Sequence, residues 1–74
     1  MSRNPRVASA DLIAALERVG VRVLRVKGSH HLMRHEDGRS TVVPVHSGET
    51  IGPGLLHRIL RDCQPTADEL GKLL

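Results

Sequence analysis

The rhythm of apolar residues changes twice along this chain. Leu12, Ile13, Leu16 and Val19 recur at the helical period behind Ser9, a residue type that caps helix starts, and Gly20 marks the end of that helix. The pattern then shortens. Val21-Arg22-Val23-Leu24-Arg25-Val26, His31-Leu32-Met33-Arg34 and Ser40-Thr41-Val42-Val43-Pro44-Val45 are runs suited to strands. They are separated by Lys27-Gly28-Ser29 and by Glu36-Asp37-Gly38-Arg39, whose Asp-Gly pair favours a tight hairpin turn. Links this short predict an antiparallel meander with the histidine-bearing run in the middle. Pro44 has no N–H to give to a ladder, which makes the third strand an edge or bulged strand. After a loop from His46 to Ile51, Gly52-Pro53 opens a second helix with Leu55, Leu56, Ile59 and Leu60 as its apolar face. Pro65 stops it. Thr66 and Glu69 have the spacing of a capping box, opening a short third helix through Leu70, Leu73 and Leu74.

The expected fold class is therefore α+β, with the order α-β-β-β-α, a three-stranded antiparallel sheet and a short C-terminal helix. All 74 residues are read as one domain, with a core fold over about 8–62 and a helical extension over 63–74. Two helices must cover one face of the sheet, since nothing else can bury the leucines, and the other face is left for a ligand.

Composition narrows the chemistry. No aromatic residue is present, which excludes the single-strand binders that stack bases on Phe, Tyr or Trp. Binding has to be led by charge. The formal net charge of +3 is concentrated before Asp62, where Arg18, Arg22, Arg25, Lys27, Arg34 and Arg39 cluster, while Asp62, Asp68 and Glu69 face only Lys72 in the last stretch. Such a basic region attracts phosphates. The single cysteine, Cys63, has no partner for a disulfide or a zinc knuckle and is read as a small apolar filler at a helix end. No run reaches the ~18 apolar residues of a membrane span and the first residues lack a signal-peptide core, so a cytoplasmic protein is expected.

Three blocks carry a family resemblance: Lys27-Gly28-Ser29-His30-His31-Leu32, then Val42-Val43-Pro44-Val45-His46-Ser47-Gly48-Glu49, then Gly54-Leu55-Leu56-His57-Arg58-Ile59-Leu60-Arg61-Asp62. In this order and spacing, from about Leu12 to Asp62, the chain resembles the HicA toxins. The resemblance implies a fold like the double-stranded RNA-binding domain, a translation-blocking mRNA interferase activity, neutralisation by a HicB-type antitoxin, and a catalytic histidine at the position of His30. It also has a departure. The RNA-binding domains grip phosphate with lysines at the start of their last helix, whereas Gly52-Pro53-Gly54-Leu55-Leu56 has no positive side chain, which disfavours recognition of long duplex RNA.

A one-histidine ribonuclease is chemically sufficient. RNA supplies its own nucleophile, the 2′-hydroxyl, and a histidine with an unperturbed pKa of about 6.5 takes and gives protons near neutrality. Arg25, Lys27 and Arg34 are candidates to hold the phosphate and stabilise its extra charge, Ser29 to bond the phosphate or orient the imidazole, and Gly28 to let the backbone approach the substrate. His31 is the reserve candidate, because neighbours on a strand point to opposite faces. If Leu32 faces the core, His30 does too, unless the strand starts irregularly. His46 is read as a loop residue for substrate or antitoxin contact, and His35 and His57 as ordinary exposed residues. No metal is expected: His31 and His35 stand ~13 Å apart at ~3.3 Å per residue, too far to share an ion. No cofactor is expected either. The alternative is a non-catalytic RNA- or protein-binding module in which His30 is replaceable.

Overall fold

The computed structural model describes residues 6–46, 48 and 50–73. Ser47, Glu49 and Leu74 lie outside the described residues, as do the side chains of Leu70 and Leu73, and with them the apolar stripe expected for the third helix. The elements run β1 (Val7–Ala8), α1 (Ser9–Arg18), β2 (Val21–Lys27), β3 (His30–His35), β4 (Ser40–Pro44), β5 (Thr50–Ile51), α2 (Pro53–Cys63) and α3 (Ala67–Leu73). Strands β2, β3 and β4 form the expected antiparallel meander, with β3 in the centre and Pro44 on an edge strand.

The turns follow from backbone chemistry. Lys27 pairs directly with His30, which leaves Gly28-Ser29 as a two-residue loop. Gly28 has φ +59° and Ser29 is not left-handed, the combination of a type II′ turn, which matches the strands' twist. At the other end of β3, Gly38 sits at φ +103° with its N–H donating to the His35 carbonyl at 2.9 Å, and the His35 N–H donates to the Arg39 carbonyl at 2.7 Å. Gly20, at φ +89°, terminates α1 and donates to the Glu17 carbonyl at 3.1 Å.

Helices α1 and α2 lie on one face of the sheet. Leu12 and Leu16 of α1, Ile59 and Cys63 of α2, and Val21, Met33, Val43 and Ile51 form one buried cluster. Cys63 is thus the apolar filler its surroundings require, and burial pushes its thiol pKa up. Leu55 and Leu56 flank the cluster half-buried.

Two local expectations are corrected. Ser9 does not cap α1: it is the first helical residue after Ala8, and its hydroxyl donates to the Pro44 carbonyl at 3.1 Å, tying the helix start to the edge strand. The stretch from His46 to Ile51 is not loop throughout, because Thr50-Ile51 pairs antiparallel with Val7-Ala8. This second small sheet places Ile51 in the core.

The capping box is present. Glu69 N–H donates to Thr66 Oγ1 at 3.1 Å, and Thr66 N–H donates to Glu69 Oε1 at 2.9 Å. Helix α3 packs on α1 and is tied back to the β3–β4 turn by Arg39. The Arg39 guanidinium holds the Glu69 carboxylate through two bonds of 2.8 and 3.1 Å, the Cys63 carbonyl at 3.0 Å and Asp37 at 2.8 Å. These hydrogen bonds raise the Arg39 pKa and hold Glu69 at about 2.

Candidate active site

The odd-numbered residues of β2, Val21, Val23, Arg25 and Lys27, would all share one face of a regular strand. They do not. Val23 pairs with Met33 but Arg25 pairs with Leu32, and Leu24 between them has no partner, so a β-bulge changes the strand's phase. Before the bulge, Val21 and Val23 share the helix-covered face with His35 and Met33. After it, Val26 opposes His31 on that face, and Arg25 and Lys27 turn to the open face opposite Leu32 and His30.

The central strand fixes the histidines. Met33 is fully buried and lies opposite Thr41, while Leu32 lies opposite Val42 and is only half-buried. It is therefore Met33, not Leu32, that faces the core, and His30 falls on the open face with no irregularity in its own strand. The sequence left this undecided because Leu32-Met33 and Val42-Val43 each offer an apolar residue to either face.

The open face thus carries Arg22, Arg25 and Lys27 from β2, His30, Leu32 and Arg34 from β3, and Ser40, Val42 and Pro44 from β4. Lys27 and Pro44 flank His30 on its two sides, and all four cations and His30 are exposed. Among the described residues no carboxylate forms an ion pair with Arg22, Arg25, Lys27 or Arg34. Gly28 and Ser29 form the turn beside His30, where a Cβ on Gly28 would meet nothing within 4 Å. The Ser29 carbonyl accepts from the Val45 N–H at 2.6 Å, which holds the turn against the end of β4.

Other candidates fall elsewhere. His31 lies on the helix side between Val26 and Val43, and its buried Nδ1 has no hydrogen-bond partner. Arg34 stands four residues from His30, ~13 Å along the strand at ~3.3 Å per residue. His46 is exposed and lines a depression of about 320 Å³ with Ala8, Ser9, Ala10, Val45, Gly48 and Thr50. His57 is exposed on α2, but His35 is partly buried, its Nδ1 accepting from the Asp37 N–H at 3.1 Å and its ring against Gly20. The sequence places Arg22 in the basic cluster but not among the candidates to hold the phosphate, and the signal that sets it on the face of Arg25 and Lys27 is the Leu24 bulge, where apolar alternation breaks. Among the described residues no three His, Cys, Asp or Glu side chains come close enough to hold a metal ion.

A helix-backed three-stranded sheet whose open face carries an exposed histidine and four cations without an ion pair among the described residues defines a small α+β protein. The family model described as the HicA toxin of bacterial toxin-antitoxin matches residues 9–64, and the chain belongs to that family. It is accordingly a toxin of a toxin–antitoxin pair and has an antitoxin for a partner. No curated protein matches the chain. No described helix is long and apolar enough to cross a membrane.

Proposed function

We propose that the protein is a metal-independent endoribonuclease, an mRNA interferase that blocks translation by cutting mRNA and is neutralised by a HicB-type antitoxin. The observation that carries this reading is the pairing of His30 with Lys27 on the open cationic face. An exposed histidine beside an unpaired ammonium is what cleavage of RNA by its own 2′-hydroxyl needs.

In this mechanism His30 takes the proton of the 2′-hydroxyl as that oxygen attacks the adjacent phosphorus. A 2′-O–P bond forms and the P–O5′ bond breaks, leaving a 2′,3′-cyclic phosphate. The imidazolium then returns its proton to the departing 5′-oxygen, so the histidine ends as it began. Lys27 and Arg25 offset the negative charge that builds on the phosphoryl oxygens, and the Gly28-Ser29 turn leaves room for the strand to pass. An acidic antitoxin surface fits the same face, because complementary charge speeds capture and blocks substrate together.

The test is cleavage of an RNA oligomer in EDTA by wild type and His30→Ala. The variant is expected to lose a factor on the order of 10²–10⁴, the worth of general acid–base catalysis, while its circular dichroism stays that of wild type. His31→Ala should retain most activity. A folded His30→Ala protein cutting at the wild-type rate would remove His30 from the catalytic role, and a wild-type protein that cuts no RNA would belong to the competing class, a non-catalytic binding module.

A further inference from the structure

Arg22 and Arg34 lie directly opposite each other across β2 and β3, on the open face at the end far from His30. Like charges in this position repel and destabilise the sheet. Neither has an ion-pair partner among the described residues. Both line a depression of about 460 Å³ with Gly20, Leu24, His35 and Glu36. Glu36 sits on its wall and is paired with neither arginine. Leu24, the bulged residue, is 62% exposed, so the same irregularity that turns Lys27 toward His30 also adds an apolar wall beside the two guanidinium groups.

We propose that Arg22 and Arg34 form a second phosphate site, which takes an RNA backbone phosphodiester further along the strand than the one cut beside His30. The inference rests on the ribonuclease reading for the identity of the ligand. Two guanidinium groups lining one depression match the oxygens of a single phosphate, whose charge relieves their mutual repulsion. The ~13 Å from His30 to Arg34 exceeds the spacing of neighbouring phosphodiesters on one strand, so this site holds a more distant phosphate and leaves Lys27 and Arg25 to the scissile one. Such an anchor fixes the strand's position without reading its bases.

The test uses 2′-O-methyl oligoribonucleotides of increasing length, which lack the nucleophile and stay intact. Wild-type affinity is expected to step upward once the strand spans the gap between the two sites. Arg22→Gln and Arg34→Gln should each bind short oligomers as wild type does. Each should bind long ones roughly three- to tenfold more weakly, the range for an exposed charge-assisted contact. Their log–log salt slopes on long oligomers should flatten by about 0.7, the share of one phosphate contact on a single strand. Arg22→Gln should also melt higher than wild type at low salt and converge with it at high salt, because a repulsion has been removed. Variants that bind long strands as wild type does, that lose short and long strands alike, or that melt lower at low salt would overturn the site. Cleavage separates the two proposals. His30-dependent cleavage with no length step removes this site alone, whereas a length step in a protein that cuts no RNA removes the ribonuclease reading and keeps the phosphate site.

Discussion

Lys27 and His30 are the last paired residues of the β2–β3 hairpin, joined by a two-residue turn and projecting from the same face of the sheet. Their relative position is set by the shortest connection two antiparallel strands can have. The hairpin holds the two backbones in register, so the Lys27 ammonium on its flexible stem stays within reach of a phosphate at His30, and positive charge beside the phosphoryl oxygens is what lowers the barrier of this chemistry.

Lys27→Ala should therefore slow cleavage by about 10–10²-fold, somewhat less than the loss of a donor in a water-excluded oxyanion site. Lys27→Arg should recover much of it, since the charge is kept. The same Ala variant should flatten the log–log salt slope of single-stranded RNA binding by about 0.7. An unchanged rate and slope would remove Lys27 from the site.

Acid should loosen the C-terminal helix first. Glu69 is held at about 2, chiefly by the side-chain hydrogen bond from Arg39, against an ordinary value of 4.5, and Asp37 is lowered by the same guanidinium. A depressed folded-state value means a stabilisation fully present above the unfolded pKa and lost as pH falls through the folded one. Thermal unfolding of Glu69→Gln should start below wild type at pH 7, and the gap should close between about pH 4.5 and 2. A gap constant across that window would contradict the pairing.

Gly20 has two reasons to be glycine. Its φ is +89°, and a Cβ there would stand 2.9 Å from His35 Nε2. Gly20→Ala should cost about 1–3 kcal/mol, the range for forcing an L-residue into that backbone region, read from urea unfolding. In a His35→Ala background the steric share should vanish and the backbone share remain. Equal costs in both backgrounds would mean that the ring yields freely.

Gln64 is the opposite case. It closes α2 in the left-handed region at φ +43°, with its N–H donating to the Leu60 carbonyl at 2.9 Å. A side chain there is strained, and Gln64→Gly keeps the backbone bond. The substitution should stabilise by about 0.5–1 kcal/mol once glycine's greater unfolded-state entropy is counted. A loss of stability would show that the Gln64 side chain holds something the backbone geometry does not reveal.

Turn chemistry made much of this architecture readable from the chain. Gly28, Gly38 and Gly20 punctuate it where left-handed backbone is needed, Pro44 marks the edge strand, and Thr66 with Glu69 announces the last helix. What stayed hidden has physical causes. Val7-Ala8 and Thr50-Ile51 pair far apart in the chain, Val7 with Ile51 and Ala8 with Thr50, and two-residue strands have no period to detect. The face of His30 was ambiguous because apolar pairs at 32–33 and 42–43 satisfy both alternations. Ser9 resembles a cap in sequence, but its hydroxyl finds the Pro44 carbonyl, a tertiary partner that local spacing does not encode.

The unpaired Leu24 has a consequence for how this strand can tolerate change in length. Alternation has a parity, and β2 needs both: odd numbers inward for Val21 and Val23, odd numbers outward for Arg25 and Lys27. The bulge is where that parity inverts, so odd positions face the helices before Leu24 and the open side after it, while Arg22 and Val26 take the opposite faces. Removing Leu24 would take away the apolar wall beside Arg22 and Arg34 but leave every other side chain in place, and bring the strand to even pairing with six residues instead of seven. The bulge would be gone and the parity kept, because the deletion renumbers Arg25 and Lys27 onto the outward phase. Substituting Leu24 cannot do this. The hairpin therefore tolerates the loss of this one residue without turning Arg25, Val26 or Lys27 to another face.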